Sequence, residues 1–191
     1  MLGTLVQRRL LYAVVFAVIT AVGLLGLVLF NQQAAASASQ VATVTLEPVG
    51  SNHAGGAMTV RVVANHVRNL AAFQAKVRFD STQLRLLDAS AASDLEGSGR
   101  DLLALEPVEQ QGAVTIGAAT CPVKDCHETR PKRAQRIDRG VNGRVVLATI
   151  EFSAAQAGQY ALALESVKLV DPQGNAIAFT TADTVLDVAT K

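Results

Sequence analysis

The residue types that could carry out chemistry are scattered along this chain and form no catalytic motif. His53, His66 and His127 stand apart from any serine or cysteine in a recognisable nucleophile motif. Several acidic residues between positions 94 and 109 lie in a stretch rich in serine and glycine. A glycosidase needs two carboxylates held at a fixed separation across a cleft, and nothing in this spacing enforces that. We therefore expect that the protein is not an enzyme.

A second chemical feature is a concentration of positive charge between residues 124 and 139. It could bind polysaccharide, a cell-wall polymer or lipid head groups, although a solvated polar loop is the alternative because nearby acids partly offset the charge. The whole chain carries a net charge of +1, which gives no indication of nucleic acid as a partner. The residues of this candidate second surface are Lys124, Arg130, Lys132, Arg133, Arg136 and Arg139.

The N-terminal part of the chain contains an uncharged apolar run from Leu10 to Phe30. A helix of that length spans roughly 30 Å, which is the thickness of the hydrocarbon core of a bilayer. Arg8 and Arg9 precede the run, and the next charged residue is Glu47. Positive charge on one flank favours a cytoplasmic location for that flank.

The sequence therefore predicts a single-pass protein of the cell membrane with its C-terminal domain outside the cell. A cleaved signal peptide is the alternative, with a small-residue site at Ala36-Ser37-Ala38, but such peptides have a shorter apolar core. The predicted parts are a cytoplasmic N-terminus at residues 1–9, a transmembrane signal anchor at 10–30, a linker at 31–40 and an extracellular domain at 41–191.

The two cysteines of the chain, Cys121 and Cys126, both lie in the predicted extracellular domain. An even number of cysteines in an exported domain favours a disulfide between them. Free thiols are one alternative. A metal site that also uses His127 is another, but its spacing lacks a fourth ligand at any usual zinc position. We expect the disulfide, no metal and no cofactor.

The extracellular domain consists of short segments with strand character, separated by turn clusters. The clearest lies in Leu70–Phe79, where apolar residues alternate with Gln74, Lys76 and Arg78, so that one face is core and the other meets water or a partner. Roughly nine such strands predict an all-β sandwich or jelly roll.

Three stretches occur in an order that is typical of one known family. They are Asn65–Leu86 (NHVRNLAAFQAKVRFDSTQLRL), Gly143–Phe152 (GRVVLATIEF) and Ser166–Asn175 (SVKLVDPQGN). Together they resemble the cohesin family. Two features depart from the family pattern: Ser81 stands where the family usually has proline, and the loop from Cys121 to Gly143 is long.

The resemblance implies a nine-stranded jelly-roll β-sandwich that binds a small, calcium-loaded dockerin on one sheet face. Any calcium would then belong to the partner. The family's binding face comes from its third, fifth, sixth and eighth strands. Carried onto this chain, its outward positions are Gln74, Lys76, Arg78, Thr115 and Gly117.

The strand that corresponds to the family's eighth, Tyr160–Val170, has an uncertain phase. Leu162 and Leu164 stand at even positions, whereas Val167 and Leu169 stand at odd positions, so a regular strand would direct the two pairs to opposite faces. A bulge near Glu165–Ser166 would bring both pairs to the same face. The predicted function is attachment to a dockerin-like protein at the cell surface. A carbohydrate-binding module and a structural subunit of an envelope complex are the alternatives.

Overall fold

The computed structural model describes residues 41–121 and 139–190, which form two β-sheets packed face to face. A 3₁₀ helix, Ser93–Ser98, lies between the fourth and fifth strands. In chain order the strands are β1 (Ala42–Val49), β2 (Ala57–Leu70), β3 (Ala72–Arg78), β4 (Leu84–Ala91), β5 (Leu102–Ala104), β6 (Val108–Gln110), β7 (Ala113–Thr120), β8 (Val141–Ala154), β9 (Gly158–Val170), β10 (Phe179–Ala182) and β11 (Thr184–Val188).

The first sheet has five strands in the order β10-β1-β2-β8-β4. Its only parallel pair among the described residues joins β1 to β10, while the other neighbours run antiparallel. The second sheet has six strands in the order β11-β9-β3-β7-β5, and β6 also pairs with β7. The predicted all-β sandwich of two sheets is thus confirmed.

The core lies between the two sheets because inward side chains alternate with outward ones along each strand. On β3, Phe73, Ala75 and Val77 are buried, as the sequence pattern predicts. Phe79 meets the fully buried Phe152 of β8 edge to face, with ring centroids 5.1 Å apart. Burying one such side chain contributes about 1.5–3 kcal/mol. This alternation fixes which residues of β3 can face outward.

The bulge predicted in β9 is present. Lys76 pairs with Ser166, but the next residue of β3, Val77, pairs with Leu164, so Glu165 is an extra residue in the ladder. Such an insertion reverses the phase of the strand beyond it. Leu162, Leu164 and Leu169 all reach the core as a result.

The number of strands differs from the nine expected. The described residues contain eleven, because β5 and β6 are three-residue strands on the same edge of β7. Part of the stretch rich in serine and glycine is also regular, since β4 extends to Ala91 and the 3₁₀ helix follows at Ser93–Ser98. Segments this short display too little alternation to be recognised as strands.

The predicted N-terminal parts, residues 1–40, lie outside the described residues. Within the described ranges, no helix has the length and apolar character needed to span a membrane.

Candidate functional site

The outer face of the six-stranded sheet carries the residues predicted to bind a partner. Cross-strand pairing places residues of neighbouring strands in rows on this face. One row contains Lys76 of β3, Thr115 of β7 and Val108 of β6. Gln74 of β3 lies opposite Gly117 of β7 in the next such row. β3 and β7 together carry all five predicted residues: Gln74, Lys76, Arg78, Thr115 and Gly117.

These five residues differ in how far a partner could reach them. Gln74 and Arg78 are exposed, and Lys76 and Thr115 are half-buried. Gly117 is buried because Leu105 lies over it: a Cβ at position 117 would be 3.3 Å from Cδ1 of Leu105. The backbone N–H of Leu105 also donates to the Gly117 carbonyl over 2.9 Å. The glycine therefore allows Leu105 to lie flat on the sheet.

Sequence reasoning missed an apolar edge patch on this face, formed by Leu103, Leu105 and Val108. Leu103 pairs with Ala119 and Val108 with Thr115, so both side chains share the outer face with their partners. Leu105 is 62% exposed and Val108 58%. In the sequence, this patch is indicated by the apolar run at residues 102–105, but the residue pattern alone does not show whether that run forms a strand or a helical turn. Exposed apolar side chains clustered at one edge are typical of an interaction surface.

The sequence also did not predict the charge triad of Lys76, Arg78 and Glu165. The bulge places Glu165 beside the two β3 cations. Its carboxylate accepts from the Arg78 guanidinium over 2.7 Å and forms a 3.0 Å ion pair with the Lys76 ammonium. The hydrogen bond from Arg78, then that from Lys76, holds the pKa of the Glu165 carboxyl below its ordinary value.

The candidate second surface is only partly described. Of its six residues, Arg139 alone lies within the described ranges, and it is exposed. It lines a cleft of about 710 Å³ between the 3₁₀ helix and the start of β8, together with Asn142 and Arg144. Arg144 donates to the Glu47 carboxylate over 2.6 Å. The other five residues, Lys124, Arg130, Lys132, Arg133 and Arg136, lie outside the described residues.

Cys121 is buried immediately after β7 and is not a free cysteine. Cys126 lies outside the described residues, so the pairing of the two remains a prediction. The buried Arg100 side chain donates to the carbonyls of Thr120 and Cys121, each over 3.0 Å, and fixes the end of β7. Within the described ranges, no cluster of three histidine, cysteine or acidic residues is placed to hold a metal ion.

Comparison by sequence finds no matching family model and no matching curated protein. Comparison of structures gives consistent similarity to cohesins. A non-cellulosomal cohesin from the archaeon Archaeoglobus fulgidus shares 15% identity over 78% of this chain and 91% of its own, with a TM-score of 0.58.

Two further similar structures are cohesins solved in complexes with dockerins. A type I complex from Clostridium thermocellum shares 12% identity over 78% of this chain and 100% of its own, with a TM-score of 0.58. A type II complex from Acetivibrio cellulolyticus shares 13% identity over 78% and 99%, with a TM-score of 0.59. The described domain therefore has a cohesin-like fold, as the resemblance in the sequence predicts.

Proposed function

We propose that this chain is a non-catalytic attachment module that binds a dockerin-like protein on the outer face of its six-stranded sheet. The observation that carries the proposal is the apolar edge patch beside the five predicted residues. It lies on a cohesin-like domain whose structural neighbours include cohesins in complexes with dockerins.

The apolar edge patch is the part of the face best suited to anchor a partner. Binding energy concentrates in a few residues that become fully buried in the complex, and polar neighbours mainly exclude water from them. Leu105 and Val108 are the most exposed members of the patch, so they have the most apolar surface to bury. Val108 lies in β6, and Leu105 directly follows β5 with its backbone N–H bonded to Gly117 of β7, so a partner can dock with little backbone movement.

Carbohydrate binding has less support. Carbohydrate-binding modules commonly use exposed aromatic side chains as flat platforms for sugar rings. The aromatic residues of the described part of the chain are each buried or half-buried: Phe73, Phe79, Phe152, Tyr160 and Phe179. The described face therefore favours a protein partner over polysaccharide.

The experiment is capture of partners from native membrane and secreted extracts by the full-length protein in detergent, with and without a calcium chelator. We expect a calcium-dependent partner with duplicated loop–helix segments rich in Asp and Asn, the calcium being held by the partner. The purified partner is then titrated against Leu105→Asp, and we expect about a tenfold or greater loss of affinity.

Leu87→Asp is the matched control, because Leu87 is an exposed leucine on β4 of the opposite sheet. It should bind the partner as tightly as the unchanged protein. An equal loss of affinity in Leu105→Asp and Leu87→Asp would contradict the assignment of partner binding to the outer face of the six-stranded sheet. A partner that binds without calcium would instead support a structural role in an envelope complex.

We further propose that residues 10–30 hold the protein in the cell membrane, with residues 41–191 extracellular. The support is the charge asymmetry around the apolar run. Protease added to intact cells should remove a C-terminal epitope tag. Protection of the tag until the cells are lysed would contradict this topology.

A further inference from the structure

We propose that Glu165 is a specificity-determining residue, an internal acidic competitor that disfavours the binding of acidic partner groups to Lys76 and Arg78. The partner surface that fits the face is then apolar over Leu103, Leu105 and Val108, without carboxylates directed at β3. This inference rests on the proposed function and specifies the chemistry of its partner.

The carboxylate of Glu165 contacts both cations of β3, Lys76 and Arg78. Oε1 of Glu165 accepts from Arg78 over 2.7 Å, and Oε2 is 3.0 Å from the Lys76 ammonium. Glu165 is the extra residue of the β9 bulge and lies between Leu164 and Ser166, which pair with Val77 and Lys76 of β3. This position puts its carboxylate within reach of both cations.

The triad makes an acidic partner group exchange one ion pair for another. To reach Lys76 or Arg78, such a group must either displace Glu165 or approach beside its negative charge, and in both cases it gains less than it would from a cation without a partner. The side chains of Lys76 and Glu165 are 38% and 36% exposed, and that of Arg78 is 53% exposed. Exposed ion pairs are weak and screened by salt. Glu165 is thus a modest filter against acidic groups, whereas apolar groups that contact the edge patch meet no such exchange.

Among the described residues, one other cation lies on this part of the face. Lys168 is exposed and lies opposite Gln74 on β3, in the row next to the triad. It gives any acidic probe a baseline affinity that does not depend on Glu165. The test must therefore measure the change that follows removal of Glu165, and must show that this change requires Lys76 and Arg78.

The test is the binding of dye-labelled hexaglutamate to the full-length protein in non-ionic detergent at low salt, measured by fluorescence anisotropy. Glu165→Gln should tighten binding about fivefold relative to the unchanged protein, because it releases both cations. The gain should disappear when Lys76→Gln and Arg78→Gln are added, and it should shrink as salt is raised.

Glu47→Gln is the matched control, since it also removes one surface carboxylate and releases one cation, Arg144, on the opposite sheet. It should tighten hexaglutamate binding clearly less than Glu165→Gln does, because it releases one cation and not two. The proposal is overturned if Glu165→Gln binds no tighter than Glu47→Gln, or if the gain survives removal of Lys76 and Arg78. Hexaglutamate binding does not need the natural partner, so failure here is distinguishable from failure of the partner capture.

Discussion

Gly140 occupies a position at which the backbone leaves no room for a side chain. Its N–H donates to Oδ1 of Asn69 over 2.7 Å, and the N–H of Asn69 donates to Oδ1 of Asn142 over 2.9 Å. A Cβ at Gly140 would be 2.6 Å from the Asn69 carbonyl oxygen. Asn69 itself has φ of 56°, a left-handed conformation that asparagine tolerates better than most residues. These three residues join the end of β2 to the start of β8.

We predict that Gly140→Ala destabilises the domain by about 2 kcal/mol, because the added methyl must push the β2 backbone aside and lengthen the Asn69 hydrogen bond. The measurement is urea unfolding of residues 41–191 followed by circular dichroism. Gly97→Ala is the control, since its Cβ would meet only Val141 at an ordinary 3.6 Å. Equal stability of the two variants would contradict the steric argument.

At the residue scale, sequence reasoning placed outward side chains correctly but missed their contacts. The alternation on β3 put Gln74, Lys76 and Arg78 on one face, and the structure places them there. The carboxylate paired with two of them is distant in sequence, and no local pattern reveals such a contact. Gly117 shows the same limit, because the Leu105 side chain that covers it comes from the segment between β5 and β6.

At the scale of elements, long strands could be predicted and three-residue strands could not. β3 and β9 show enough alternation to reveal their phase, including the reversal that the bulge at Glu165 explains. β5 and β6 show one or two alternations each, and their strand character depends on pairing with the edge of β7. That dependence explains why the apolar edge patch was not found from the sequence.

The edge strand β4 bears on the alternative role as a structural subunit that pairs through a free sheet edge. Leu86 pairs with Phe152 and Asp88 with Glu151, so Leu87 is an extra residue that bulges out of β4. Bulges and charged residues on an edge strand oppose the addition of another strand. Docking on the outer face therefore has better support than strand addition at β4.

At the scale of the whole molecule, folding stabilises the charged form of three surface carboxylates among the residues that the structure describes. Hydrogen bonds from Thr82 lower the pKa of Asp80, and a hydrogen bond from Asn175 lowers that of Asp171. Hydrogen bonds from Arg78 and Lys76 lower the pKa of Glu165. Glu165 links β9 to β3, whereas Asp80 and Asp171 each accept hydrogen bonds within a turn between two strands.

The sign of the resulting pH dependence follows from the direction of these pKa shifts. A carboxyl whose pKa is lower in the folded state binds fewer protons there than in the unfolded chain. Its contribution to stability is complete above the unfolded pKa, about pH 4 to 5, and is lost as the pH falls through the lower folded pKa. The domain should therefore lose stability on acidification from pH 6 to pH 3.

We predict that the combined variant Asp80→Asn, Glu165→Gln and Asp171→Asn has a flatter pH dependence than the unchanged domain. The three neutral side chains cannot be protonated, so the part of the acid loss that belongs to them disappears, while other carboxyls contribute equally in both proteins. The measurement is the urea midpoint of residues 41–191 at pH 6 and at pH 3. At pH 6 the variant should have the lower urea midpoint, and the difference between the midpoints of the two proteins should be smaller at pH 3. A constant gap would show that these three carboxylates are solvated charges with no net preference for the folded state, and it would also weaken the case for Glu165 as a partner of both β3 cations.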